Sequence, residues 1–212
     1  MESIIKWQEQ TLGEKVVKAL QNNEFHAIYV QSKEEAVAFI MYHINKGTVV
    51  GIGGSVTIGQ LNIERNIIEN GGTLLKHTEG STDKERVDIM RKQLLSDVYL
   101  CSSNAVTLDG YLVNIDGAGN RVAAMTFGPK KTIIIVGVNK IVKDEASAFE
   151  TLKLGACPLN NKRLNLQNPC TAGGICTECN SNRRICRIYS TIKRRPIRSD
   201  ITVVVVGEHL GF

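Results

Sequence analysis

The chain has little proline, few aromatic residues and no long apolar run. Four prolines in 212 residues are too few for a linker-rich or disordered chain. The longest apolar stretches, Ile133–Val138 and Val203–Val206, fall far short of the roughly 20 residues that a spanning helix needs. No membrane span is expected. The first ten residues scatter Glu2, Lys6 and Glu9, where a secretory leader would place a charged start and then an apolar block. A cytoplasmic location is the expectation, and disulfides are rare there. The sequence has no Gly-x-Ser-x-Gly elbow and no His-Glu-x-x-His pair. His26, His43, His77 and His209 stand apart from one another, so no general base announces itself.

What is present fits a globular protein. Apolar residues make up 42% and charged residues 22%. The length suits a single domain over 1–212, long enough to bury a core without cross-links. The formal charge is +5, but it is unevenly placed. Residues 162–198 hold nine Lys and Arg against Glu178 alone, 9 − 1 = +8, so the remainder carries 5 − 8 = −3. That basic stretch also holds four of the six cysteines.

Helical and extended patterns alternate along the chain. Ile5, Leu12, Val16 and Leu20 recur at helical spacing in the first 22 residues. Ser32 with Glu35 is a capping-box pattern for a helix that Gly47 would stop. Thr48–Ile52, Thr73–Lys76, Val98–Cys101, Thr132–Val136 and Ile201–Val206 read as buried strands. Ser81 or Thr82, and Asp144, are placed to cap helices. Tyr111–Ile115 and Arg121–Met125 read as a hairpin around Asp116-Gly117-Ala118-Gly119-Asn120. The pattern predicts an α/β domain whose largely parallel sheet is made mixed by that hairpin. Residues 157–198 have weak periodicity and read as a cysteine-rich basic insertion before the last strand.

Two regions are candidate ligand sites. Val49–Ile52 leads into Gly53-Gly54-Ser55-Val56-Thr57, a strand, a glycine turn and a helix start. Such a turn offers free backbone N–H groups, and Ser55 and Thr57 add hydroxyls, so a phosphate or carboxylate would suit it. It lacks the third glycine of a dinucleotide fingerprint and the Gly-Lys-Ser/Thr of a P-loop. A plain turn capped by Ser55 explains it equally well. The second region holds Asn104, Asp109, Asn114, Asp116 and Asn120, with Lys130 further on. Turn chemistry accounts for Asp116 to Asn120. Asn104, Asp109 and Asn114 are more polar than a hairpin requires, and they are candidates to line a cleft with Gly53, Gly54 and Ser55.

Cys170, Cys176, Cys179 and Cys186 follow a C-x5-C-x2-C-x6-C spacing. Four thiolates in one short loop suit a closed zinc site or a four-cysteine iron–sulfur cluster. The neighbouring Arg183, Arg184 and Arg187 would offset the negative charge of such a centre. Nucleic-acid binding ranks lower, because Tyr189 is the only aromatic residue in the basic stretch. Cys101 reads as a core thiol, and Cys157 as a fifth, alternate ligand.

Taken in order, several motifs resemble one family. They are the Gly51–Gly59 loop, Ser102-Ser103-Asn104-Ala105-Val106-Thr107, and Leu112 to Arg121. Phe127-Gly128-Pro129-Lys130, Val138-Asn139-Lys140-Ile141-Val142 and Gly207-Glu208-His209-Leu210-Gly211-Phe212 complete the set. Together they are similar to the LUD-domain (lactate-utilisation) family over nearly the whole chain. The resemblance implies the three-layer α/β fold of sugar-phosphate isomerases and CoA-transferases, with helices on both faces of the sheet. It implies a small anionic ligand at the strand ends and a link to oxidation of L-lactate to pyruvate beside other, iron–sulfur-bearing subunits. The cysteine segment is not part of the family's shared pattern. The leading expectation is therefore a subunit or accessory of a lactate-oxidising system that carries an iron–sulfur cluster of the four-iron type. The alternatives are a stand-alone isomerase- or transferase-type enzyme with structural zinc, and a regulatory metal-binding module. Catalysis by the chain alone and assembly into a homo-oligomer stay open.

Overall fold

The computed structural model describes all residues, 1–212. The first half of the chain runs α1 (Glu2–Asn22), β1 (His26–Val30), α2 (Lys33–Tyr42), β2 (Val49–Ile52), α3 (Val56–Gln60), α4 (Glu64–Glu69), β3 (Thr73–Lys76), α5 (Asp83–Gln93) and β4 (Val98–Cys101). It continues through β5 (Ala105–Thr107), β6 (Leu112–Asp116), α6 (Asn120–Thr126), β7 (Lys131–Gly137), β8 (Ile141–Val142), α7 (Glu145–Leu154), α8 (Ala156–Arg163), α9 (Pro169–Gly173), β9 (Ile188–Ile192) and β10 (Ile201–Val206).

Six strands form one sheet in the order β1-β10-β7-β4-β2-β3, and every pairing in it is parallel. The apolar runs explain why. A parallel strand covered by helices on both sides needs apolar residues at consecutive positions. In β7, Ile134 and Val136 enter one core with Val16, Val17 and Leu20 of α1 and with Met125 of α6. Ile133 and Ile135 enter the other core with Ile40 of α2, Ile58 of α3 and Ile67 of α4. β10 divides in the same way, with Val203 and Val205 on the first face and Val204 and Val206 on the second. Helices thus cover both faces, as the family resemblance implies.

The antiparallel pairing lies elsewhere. A second sheet of four strands, β8-β5-β6-β9, joins β6 antiparallel to β5 and β9. Val106, Leu112 and Ile192 face the core beneath the main sheet, while Ala105 and Val113 face Ala148, Leu152 and Ala156 of α7 and α8. The expected hairpin is corrected here. Leu112–Asp116 is a strand, but Asn120–Thr126 is a helix, and the main sheet gains no antiparallel member. Gly119 adopts φ +86°, the Asp116 carboxylate accepts from its N–H, and the chain turns into α6, which buries Ala124 and Met125. Residues 157–198 are also more regular than expected, since α8, α9 and β9 lie within them.

The caps follow the sequence. Ser32 accepts from Glu35 N–H, Asp144 from Ser147 N–H, and Thr82 forms a reciprocal capping box with Glu85. Helix α2 ends at Tyr42, earlier than Gly47, whose N–H instead donates to the Gly71 carbonyl. No helix is long and apolar enough to cross a membrane.

Candidate functional site at the carboxyl edge of the main sheet

A cavity of about 330 Å³ opens beyond the carboxyl ends of β2 and β4, the edge where open α/β sheets place ligands. Gly54, Ser55 and Thr57 form one side of it, Ser102, Asn104, Asp116 and Asn120 a second, and Cys157 and Cys186 a third. The glycine loop and part of the cysteine constellation therefore share one cleft.

The glycine loop has the predicted form. Ser55 is the N-cap of α3, and its Oγ accepts from Ile58 N–H at 3.3 Å. Gly53 is needed for space, because a Cβ there would sit 2.8 Å from the buried Tyr99 hydroxyl. Gly54 is exposed and faces the His77 ring. Thr57 is buried and accepts from Lys140 Nζ at 2.8 Å.

The polar set gathers around one cation that the sequence reading treated only as a turn residue. Arg121, on the first turn of α6, donates from Nη1 to the Ser102 carbonyl at 2.8 Å and to Asn114 Oδ1. Nη2 donates to Asn104 Oδ1 at 2.8 Å and to the Ile115 carbonyl at 3.0 Å, and Nε lies 3.3 Å from Asp116 Oδ2. Asn114 is fully buried, and its Oδ1 also receives Asn104 N–H at 3.1 Å. Asn104 Oδ1 accepts from Ile115 N–H as well. The oxygens of Asn104, Asn114 and Asp116 are thus spent on fixing the Ser102–Asn104 turn against β6. Asn104 Nδ2 takes no part in that network. The five guanidinium donors fit this fan of acceptors, which a lysine would not span.

Lys140 is the second cation that sequence reasoning missed. It follows β7 and is 6% exposed. Nζ donates to Thr57 Oγ1, to Ser102 Oγ at 2.9 Å and to the Ser103 carbonyl at 3.4 Å. Burial, reinforced by the charge of Arg121, lowers its pKa to about 7. A lysine set in an otherwise apolar stretch was the available signal. His77 also lines the cavity; burial and then Arg86 lower its pKa, and its Nδ1 is buried without a partner.

Four of the predicted ligand-binding residues do not line the cavity: Gly53 and Asn114 are buried behind its wall, and Asp109 and Lys130 lie farther off. Asp109 sits in the β5–β6 turn, where its carbonyl accepts from Asn23 of α1. Lys130 precedes β7, at the opposite edge of the sheet, and pairs with Asp97 at 2.7 Å. Asp97 also accepts from Val49 N–H, and the Lys130 bond is the chief cause of its lowered pKa.

The cysteines divide as follows. Cys101 is fully buried, and burial pushes its pKa up to about 12. Cys170 and Cys186 are buried, while Cys176 and Cys179 are half-buried. The Cys157 and Cys186 thiols are neighbours, and their interaction raises the pKa of Cys157 and lowers that of Cys186. Burial and then the neighbouring Cys186, Cys176 and Cys179 raise the pKa of Cys170, so the four stand near enough to repel as thiolates. No three His, Cys, Asp or Glu side chains are drawn together as a metal shell.

The family described as the LUD domain matches residues 13–206. Among solved structures, a DUF162-family protein from Deinococcus radiodurans superposes with a TM-score of 0.51 at 13% identity. The match covers 93% of this chain and 98% of that one, and at such identity the likeness is one of fold. No curated protein matches the sequence.

Proposed function

The chain belongs to the LUD-domain family, associated with lactate utilisation, and from that membership we propose that it binds a small carboxylate as a subunit or accessory of an L-lactate-oxidising system. One observation carries this reading. The cavity holds the amine of Lys140 against two hydroxyls and a carbonyl, with no carboxylate among its hydrogen-bond partners. An anion entering there supplies the missing charge, and the free Nδ2 of Asn104 gives it a neutral donor. The size of the cavity suits a small ligand.

The cysteine wall supports a second element of the proposal, an iron–sulfur cluster held by Cys170, Cys176, Cys179 and Cys186, with zinc as the alternative. The donor chemistry fits. Cys186, Cys176 and Cys179 lie near enough to Cys170 to raise its pKa, and a cation among them would relieve that repulsion. Arg184 lies beside Cys186 and donates to the Cys179 carbonyl at 2.8 Å. Because the sulfurs are not already gathered, the metal would complete the fold of this wall. A cluster would supply electron transfer, and zinc would supply only rigidity.

Isothermal titration with L-lactate, pyruvate, a sugar phosphate and CoA tests the ligand class. Lactate or pyruvate should bind, at least tenfold more weakly in Lys140→Met and equally well in Lys130→Ala. Binding of CoA or sugar phosphate alone would instead establish the isomerase- or transferase-type reading. Anaerobic purification with iron, sulfide and zinc analysis decides the metal.

A further inference from the structure

The surroundings of Lys140 are those of a reactive amine. A surface lysine is held as ammonium by water, and a buried one usually by a carboxylate. Lys140 is 6% exposed and has no carboxylate, because its three contacts are Thr57 Oγ1, Ser102 Oγ and the Ser103 carbonyl. The charged side chain beside it is Arg121, of the same sign, and the nearby Cys101 is kept as a neutral thiol by burial. Its position in the fold is fixed from three elements: the turn after β7, the first turn of α3 and the turn after β4. The amine lines the cavity. It therefore has a large neutral fraction near pH 7, a fixed direction and access to a small ligand.

We propose that Lys140 condenses with the carbonyl of a small 2-oxo acid in this cavity to form an imine. The proposal rests on the carboxylate reading given above. The Nζ lone pair attacks the carbonyl carbon and the C–N bond forms. The carbonyl oxygen then departs as water, carrying both protons lost from nitrogen. Nothing is oxidised or reduced. The hydroxyls of Thr57 and Ser102, at 2.8 and 2.9 Å from Nζ, are the groups that relay protons to the departing oxygen. The amide of Asn104 is placed to donate to the acid's carboxylate.

The test uses the full chain with pyruvate as the 2-oxo-acid probe and borohydride as the trap, read by intact mass and peptide mapping. One reduced adduct should form, on the peptide containing Lys140. L-Lactate, which lacks the carbonyl, should give none. Lys140→Arg and Lys140→Met should give none, and Ser102→Ala should slow adduct formation about tenfold. The wild-type peptide map locates the adduct even where a variant fails to fold. An adduct on a different lysine overturns the proposal. Pyruvate binding by titration with no adduct overturns the imine and leaves the carboxylate reading standing. Binding of neither lactate nor pyruvate overturns that reading and the imine with it.

Discussion

Two walls of the same cavity are built in different ways. The wall at the sheet edge is held by Arg121, whose donors reach the Ser102 and Ile115 carbonyls, Asn104, Asn114 and Asp116. Each partner lies on a strand or the turn beside it, so the geometry is set before any ligand arrives. The cysteine wall meets the cavity at Ile185 and Cys186, in a segment that runs from Gly174 to Arg187 without regular structure. Its ties are single contacts: Cys176 N–H to the Lys153 carbonyl, Lys153 to Glu178 at 2.6 Å, and Arg184 to the carbonyls of Cys179 and Cys186. One wall is set by a network of buried contacts, and the other has few ties of its own. Asp116 joins them. Its carboxylate holds Arg121 and Gly119, and its carbonyl accepts from Arg187 N–H.

The largest expected effect lies on the fixed wall. Arg121→Ala would leave the buried Asp116 carboxylate without its cation and take a donor from each of Asn104 and Asn114. Urea denaturation should show a loss of about 3–5 kcal/mol. A loss below about 1 kcal/mol would mean that the network is not what holds this wall.

Lys140 comes next. Its folded pKa is lowered to about 7 from the ordinary 10.5 of a lysine, so the unfolded chain binds more protons across that interval. Stability should therefore rise with pH between about 7 and 10.5, relative to Lys140→Met, as the cost of burying the charge is relieved. Parallel melting curves of wild type and variant that do not diverge over that range would show the amine to be freely hydrated.

On the cysteine wall, the double change Cys176→Ser with Cys179→Ser should remove bound iron or zinc altogether. It should alter the stability of the metal-free protein by no more than about 0.5 kcal/mol, because both residues are half-buried. Retained metal would sink the four-cysteine assignment, and a large loss of metal-free stability would erase the contrast between the walls. The smallest effect is the control. Lys130→Ala removes an exposed pair with Asp97 at the far edge of the sheet and should cost about 0–1 kcal/mol with no change in ligand binding.

The sheet was legible where residues are consecutively apolar. Ile133 to Val136 and Ile201 to Val206 divide between two cores in the way that a covered parallel strand demands. Ser55, Thr82 and Asp144 announced their helices because capping is local. What was missed depends on distant partners. Arg121 to Met125 reads as the second arm of a hairpin, but Arg121 is claimed by Asn104 and Ser102, and the chain coils to satisfy it. Ile188–Ile192 is hidden within a basic stretch, and only the neighbouring Leu112–Asp116 makes it a strand. Asn104, Asn114 and Asp116 were found, yet in this structure their oxygens bind an arginine. Lysine is so often a surface residue that Lys140 drew attention only once it was seen buried.

The order of the main sheet also bears on synthesis. Its first strand, β1, pairs in parallel with β10, the last, from His26↔Thr202 to Val30↔Val206. As the chain leaves the ribosome, β1 must wait, with an unpaired flank, until residues 201–206 have emerged. β10 then enters between β1 and β7 and closes both gaps at once. Contacts so distant in sequence make folding slow, and a waiting strand edge invites pairing with other chains. Helix α1, formed early from local contacts and packed on β1, is the natural guard of that strand during the delay.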